Sequence, residues 1–283
     1  MVEDKFRGKT AVVTGGASGV GRCMCELFAR TGMNVIMADI EQDALEAAGS
    51  ALKEQGLSVE WIQADVTSPE SMQNLERKSR EAFGNIHVLG IKEAQRRIWT
   101  LTPKDWEWGF SVNVMGVANG IRAFVPGMLE HGEPGHVVNT SSTNGGLYSM
   151  PTTPIYSSSK AAVTSMSEVL NGQFQMDGAA LQAHVLFPGP HLVNTNTLSS
   201  MRNRPEQLRD NDEPVAYTSM ADLAKASGIK NMKLTEPEEV AETCLAGMRD
   251  GQFWILPPSK SNDQQVSRRT ESILSRQNPA LGA

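Results

Sequence analysis

The chain has 283 residues, 40% of them apolar and 20% charged, with a formal net charge of −6. That length suits one large α/β domain or two small ones with a substantial core, and the acidic balance excludes a generally basic nucleic-acid footprint. No run approaches the roughly 18 apolar residues that span a bilayer, and the polar start Met1-Val2-Glu3-Asp4-Lys5-Phe6 is unlike a signal peptide. Three cysteines cannot build a disulfide framework. Cys23 and Cys25 sit two apart on a predicted helix and face different sides of it, and nothing supplies further ligands for a metal. A cytoplasmic protein with small buried thiols and no metal is expected.

Taken in chain order, short β-rich runs alternate with longer amphipathic ones. Thr10 to Thr14 reads as a strand, Gly19 to Arg30 as a helix and Asn34 to Ala38 as a second strand. Glu41 to Gln55 is helical, with Ala44, Ala47, Ala48 and Leu52 as its apolar stripe, and Ser58 to Gln63 is a third strand. Ser68-Pro69-Glu70 has the cap and N1 proline of a helix start, and that helix runs to Phe83. Ile86 to Leu89 is a short fourth strand. A long helical stretch from Pro103 to Leu129 carries an expected irregularity near Gly116 and Gly120. His136 to Thr140, Gln182 to Phe187 and Phe253 to Leu256 are further strands. Helices at Thr153 to Gln175 and Glu236 to Met248 lie between them. Strands separated by helices predict right-handed crossovers and a Rossmann-like, doubly wound parallel sheet covered on both faces. One domain over residues 1–283 is the simplest organisation. Residues 191–232 form a substrate loop or lid at the sheet's carboxyl edge, and the polar tail from Ser259 is partly mobile.

The first strand runs into Thr14-Gly15-Gly16-Ala17-Ser18-Gly19-Val20-Gly21. Glycines here allow a tight turn, close approach of backbone to a pyrophosphate, and tight packing of helix on strand. The helix then aims its free N–H groups at the phosphates. Asp39 lies 18 positions beyond Gly21, at the end of the second strand. An acid there accepts hydrogen bonds from both adenosine-ribose hydroxyls and repels a 2′-phosphate, favouring NAD over NADP; it also suits the start of the next helix. Asp65, before Val66, caps the adenine end of the pocket or stands as a turn aspartate.

Two later segments, Asn139-Thr140-Ser141-Ser142 and Tyr156-Ser157-Ser158-Ser159-Lys160, combine with that turn. Together they resemble the short-chain dehydrogenase/reductase family, over roughly residues 6–200. Tyr156 and Lys160 are four apart and share a helical face. A tyrosine near an ammonium loses its proton more easily than the free side chain, whose pKa is about 10, and becomes a usable general base. The resemblance implies that Lys160 also holds the nicotinamide ribose. It implies that Ser142 binds the substrate oxygen, although the spacing of 14 to Tyr156 is one residue long and leaves Ser141 as an alternative. Asn113 would anchor a water in a proton relay, bent into place by a break in its helix. Pro188 and Gly189 would turn beside the nicotinamide, with Val193 and Thr195 on its carboxamide. His191 is a loop histidine or a substrate contact. The family's Asn-Asn-Ala-Gly motif is missing from 91–94, where Lys92, Arg96 and Arg97 form a small basic cluster. Trp99, Trp106 and Trp108 hint at a large apolar substrate pocket, and core packing explains most of them equally well.

The expected activity is reversible oxidation of a secondary alcohol to a ketone with NAD. The partner is a small alcohol or ketone, with no nucleic acid or membrane. The family also implies a homodimer or homotetramer through the helices around Asn113 and Tyr156. An epimerase or dehydratase that uses NAD transiently and a non-catalytic dinucleotide-binding protein are the alternatives.

Overall fold

The computed structural model describes residues 5–83, 98–195, 203–209 and 233–279. Three βα units come first: β1 (Thr10–Thr14), α1 (Gly19–Arg30), β2 (Asn34–Asp39), α2 (Gln42–Glu54), β3 (Val59–Gln63) and α3 (Pro69–Phe83). The second half continues with α4 (Pro103–Phe110), α5 (Gly116–His131), β4 (Gly135–Thr140), α6 (Pro154–Met176) and β5 (Leu181–Leu186). It ends with β6 (Leu192–Val193), β7 (Leu234–Thr235), α7 (Pro237–Arg249), β8 (Trp254–Ile255) and α8 (Lys260–Ser275). All strand pairings are parallel: β1-β2-β3, β4-β5-β8 and β6-β7. The expected strand at 86–89, the segment 91–94 and the cluster Lys92, Arg96 and Arg97 lie outside the described residues, as does most of the expected lid.

Alternation along the strands explains why helices cover both faces. Ala11, Val13, Val35 and Met37 point into one core with Phe28 of α1, Leu45 and Leu52 of α2 and Val240 and Leu245 of α7. Their neighbours Val12, Ile36 and Ala38 point the other way, onto Met72 and Leu75 of α3 and Phe124 of α5. Val138 and Leu186 repeat the first direction. Val137 and Ala183 meet Val125 of α5 and Leu170 of α6 on the second. Strands buried on both faces read as continuous apolar runs, as these do. Truncating a fully buried Leu52 in such a core costs about 2–5 kcal/mol.

Between α4 and α5 the chain widens into a π-type stretch, Ser111–Met115, just before the glycines where an irregularity is expected. The start of α4 is tightly fixed. The Thr102 hydroxyl accepts from the Asp105 N–H and the Asp105 carboxylate accepts from the Thr102 N–H. Asp105 also accepts from the Arg204 guanidinium at 2.8 Å, with both side chains buried. Arg204 lies 5.6 Å from the Trp108 ring, so Trp108 packs against this cation. Trp99 is largely exposed. The expected mobile tail is instead α8. Ser259 caps it, Asn262 accepts from the Tyr148 hydroxyl at 2.9 Å, and Arg269 donates to the Leu147 carbonyl at 2.6 Å. This helix has few apolar residues and gives periodicity analysis nothing to detect.

On β4 and β5, the half-buried His136 and the fully buried His184 form a pair. The His184 Nδ1 lies 2.6 Å from the Gln252 carbonyl and must carry the proton there, leaving Nε2 to accept from His136 Nδ1 at 2.9 Å. Burial pushes His136 down to about 4, aided by His184 and Lys5, and burial also lowers His184. Unfolded histidines take a proton near 6.5. The stabilisation is therefore complete above that pH and is lost as pH falls toward 4. Chemical denaturation between pH 7.5 and 4.5 should show a decline of about 2 kcal/mol from His136, allowing for its partial exposure. A His136→Leu variant should show a shallower decline. Arg204→Leu should lower the unfolding free energy by about 3 kcal/mol in the same assay, because it leaves Asp105 buried without its cation.

Candidate active site

Every candidate residue among the described ones lies on a strand's carboxyl end or on a helix facing it, where open α/β sheets bind ligands. Beyond β1 the turn is built on backbone proximity. A Cβ on Gly21 would stand 2.1 Å from the Gly15 carbonyl oxygen, so any side chain there would force the turn open. Gly19 has φ +53 and lies against the Thr195 methyl, 3.1 Å from where its own Cβ would be. Ser18 makes no side-chain hydrogen bond to the first turn of α1, and that turn holds no acidic residue. The N–H groups of Gly19, Val20 and Gly21 thus begin a twelve-residue helix without a side-chain cap, a setting suited to a diphosphate. A cleft of about 420 Å³ opens beside them, lined by Ala17, Ser18, Gly19, Arg22, Glu41 and Ala44 among others.

Asp39 ends β2 and ties the neighbouring loops together. One carboxylate oxygen accepts from the Ala17 N–H at 3.1 Å and the other from the Glu41 N–H at 3.2 Å. A carboxylate offers about four acceptor positions, so capacity remains for ribose hydroxyls. Asp65 forms a turn by accepting from both the N–H and the hydroxyl of Thr67. Val66 is held from across the site, because the Asn119 amide donates to its carbonyl at 2.9 Å. Asn119 escaped the sequence reading; its only signal is a polar side chain on the buried face of α5.

The second cluster sits between β4 and α6. Tyr156 is buried, with the Ser142 side chain close enough to its hydroxyl to ease ionisation. Lys160 is 2% exposed; its ammonium donates to the Thr140 carbonyl at 2.8 Å and lies 5.7 Å from the Tyr156 ring centroid. Ser141 is turned away, bonded to the Lys160 carbonyl and the Thr164 hydroxyl. Of the two serines, Ser142 is therefore the one placed against the phenol. Burial pushes Tyr156 up to about 12, and the Ser142 hydrogen bond pulls the other way. The lowered phenol expected from Lys160 is absent: desolvation is the larger effect, favouring the neutral phenol by about 3 kcal/mol. Asn113 reaches this cluster from the π-type stretch. Its amide donates to Ser159 at 3.0 Å, and Ser159 donates to the Tyr156 carbonyl. Its Oδ1 is buried with no hydrogen-bond partner, which suits a water or ligand donor at that point.

Pro188 and Gly189 follow β5. The exposed His191 donates through its backbone to Thr235, and Val193 pairs with Thr235 in β6-β7. This brings Thr195 onto Gly19 and joins the two halves of the site. The loop Thr143–Leu147 after Ser142 is bent at Asn144 and Gly145. Asn144, also missed from sequence, bonds to Thr153, Ser157 and Met150. Among the described residues no group of three or more His, Cys, Asp or Glu could hold a metal, and no described helix is long and apolar enough to cross a membrane.

The short chain dehydrogenase family model matches residues 9–206. A "CLA biosynthesis dehydrogenase/reductase" of Lactiplantibacillus plantarum is 30% identical over 91% of this chain and 90% of its own length. A "C alpha-dehydrogenase" of Sphingobium sp. is 28% identical over 89% of this chain and 81% of its own. A crystal structure of a short chain dehydrogenase/reductase from Burkholderia phymatum in complex with NAD superposes with a TM-score of 0.89. It is 34% identical and covers 100% of this chain and 99% of its own. The chain belongs to the short-chain dehydrogenase/reductase family of oxidoreductases.

Proposed function

We propose that this protein is an NAD-dependent oxidoreductase that interconverts a secondary alcohol and a ketone. The observation that carries this reading is the buried Tyr156 beside Ser142, with the Lys160 ammonium 5.7 Å from its ring centroid. Bound NAD would supply hydride acceptance and return. Gly15, Ser18, Gly19, Val20 and Gly21 would hold its diphosphate and Asp39 its adenosine ribose. Asp65 and Val66 would border its adenine. Lys160 would hold its second ribose, and Pro188, Gly189, Val193 and Thr195 would border its nicotinamide. The similarity to an NAD complex supports this cofactor. Arg22 lines the same cleft as Ser18, so NADP is the necessary control.

The protein's own part is to place the reacting oxygen and move its proton. Ser142 holds the substrate oxygen against the phenol. Tyr156, neutral at rest, donates its proton to a ketone oxygen, or accepts one from an alcohol in the opposite direction. Asn113 holds the far end of the proton path through its open Oδ1. Positioning the carbinol carbon is the largest contribution asked of the pocket.

A panel of apolar and aromatic secondary alcohols, beginning with 1-phenylethanol, should yield NADH in proportion to alcohol consumed. An epimerase or dehydratase would yield none. Tyr156→Phe should reduce kcat by about 10²–10⁴-fold while calorimetric NADH affinity stays the same. Wild-type turnover in that variant overturns the assignment. NADPH should bind more weakly than NADH. We also propose assembly as a homodimer or homotetramer through α5 and α6, where Met115, Leu129, Val169 and Met176 are exposed. Light scattering should give a molar mass two or four times that of the chain.

A further inference from the structure

Ser142 and Tyr156 belong to separate segments, and for the two side chains to face each other something must hold those segments in register. Ser142 is the last extended residue before the loop Thr143–Leu147. Tyr156 lies in the first turn of α6. Asn144 is two residues after Ser142 and 9% exposed, and its side-chain amide spans the gap. Its Oδ1 accepts from the Ser157 hydroxyl at 2.6 Å and from the Met150 N–H at 3.0 Å. Its Nδ2 donates to the Thr153 hydroxyl at 2.7 Å. Thr153 is the N-cap residue of α6, and Ser157 directly follows Tyr156.

The backbone makes the same junction. Gly145 has φ +95, and a Cβ there would lie 2.1 Å from the Ser157 carbonyl oxygen. The loop is thus pressed onto the helical turn that carries the phenol. We propose that Asn144 is a positioning residue for the Ser142–Tyr156 pair, tying the loop that bears the serine to the turn that bears the tyrosine. This rests on the functional reading above. It assigns no contact between Asn144 and substrate or cofactor.

A group that acts only through this pair has no effect once the pair is broken. Asn144→Ala should lower kcat for 1-phenylethanol oxidation by about 100-fold, the scale of a 1 Å misplacement, with NADH affinity unchanged. In a Ser142→Ala background the same change should cost about twofold or less, because both substitutions remove one interaction. The pH of half-maximal oxidation should rise in Asn144→Ala, since the Ser142 hydrogen bond that eases ionisation of Tyr156 is loosened. Ser157→Ala cuts a single strand of the tie and should shift both readouts in the same direction, to a smaller extent. It keeps the test open should Asn144→Ala fold poorly. Hydrogen exchange needs no turnover. In either variant, residues 145–150 and 154–158 should lose protection together while β4 and the rest of α6 keep theirs. Additive losses in the double variant, an unmoved pH profile, or unchanged exchange would each overturn the proposal. Full turnover in Tyr156→Phe would defeat the functional reading instead, and the exchange result distinguishes the two failures.

Discussion

An amine and a phenol are buried on the same face of α6, and the surrounding structure answers the cost of that burial. An ammonium withdrawn from water is unfavourable unless it is hydrogen-bonded, and Lys160, 2% exposed, donates to the Thr140 carbonyl. Thr140 is the last residue of β4, in register with Leu186 of β5. The anchor is therefore the carboxyl edge of the sheet itself, a position that cannot drift without unpairing strands. The serines of the Tyr156–Lys160 segment extend this support. Ser157 bonds to Asn144 and Ser159 to the Tyr156 carbonyl and Asn113, while Ser158 faces solvent.

The other half of the site depends on backbone proximity. The distance between Gly21 and Gly15 leaves no room for a side chain, so α1 starts close beneath the end of β1. Asp39 bonds to Ala17 and Glu41 and fixes the turn relative to β2 and α2. Thr195, held by the β6-β7 pair, then rests on Gly19. The chain crosses the mouth of the site there, so a group bound on the α1 amides lies beside the segment that follows β5. The two halves meet at these contacts, which explains why distant stretches of sequence serve one pocket.

Much of this was legible in the sequence because it is governed by local rules. Period-2 and period-3.6 patterns placed β1 and α1 at their observed bounds and most other elements within a residue or two. Turn glycines, the i to i+4 spacing of Tyr156 and Lys160, and an expected break beside Asn113 followed from backbone geometry. What sequence could not give was non-local. The choice between Ser141 and Ser142 turns on which hydroxyl finds Lys160 and Thr164 and which finds Tyr156, and counting residues across a bent loop does not decide it. Asn119 and Asn144 look like ordinary polar residues until the structure buries them against carbonyls and hydroxyls. The polar helix α8 is held by Asn262 and Arg269, whose partners Tyr148 and Leu147 lie more than a hundred positions away.

The direction of the Tyr156 shift was misread for a related reason: spacing supplies the charge, but only the fold supplies the desolvation. The consequence is chemical. A phenol held at about 12 stays protonated at neutral pH. Burial opposes the phenolate by about 3 kcal/mol. The Lys160 ammonium already lies 5.7 Å from the ring centroid and leaves burial the larger effect. A second positive charge seated beside Tyr156 would oppose the effect of burial further, and a neutral group in the same place would not. The charge of what the pocket binds therefore bears on how readily this buried hydroxyl gives up its proton.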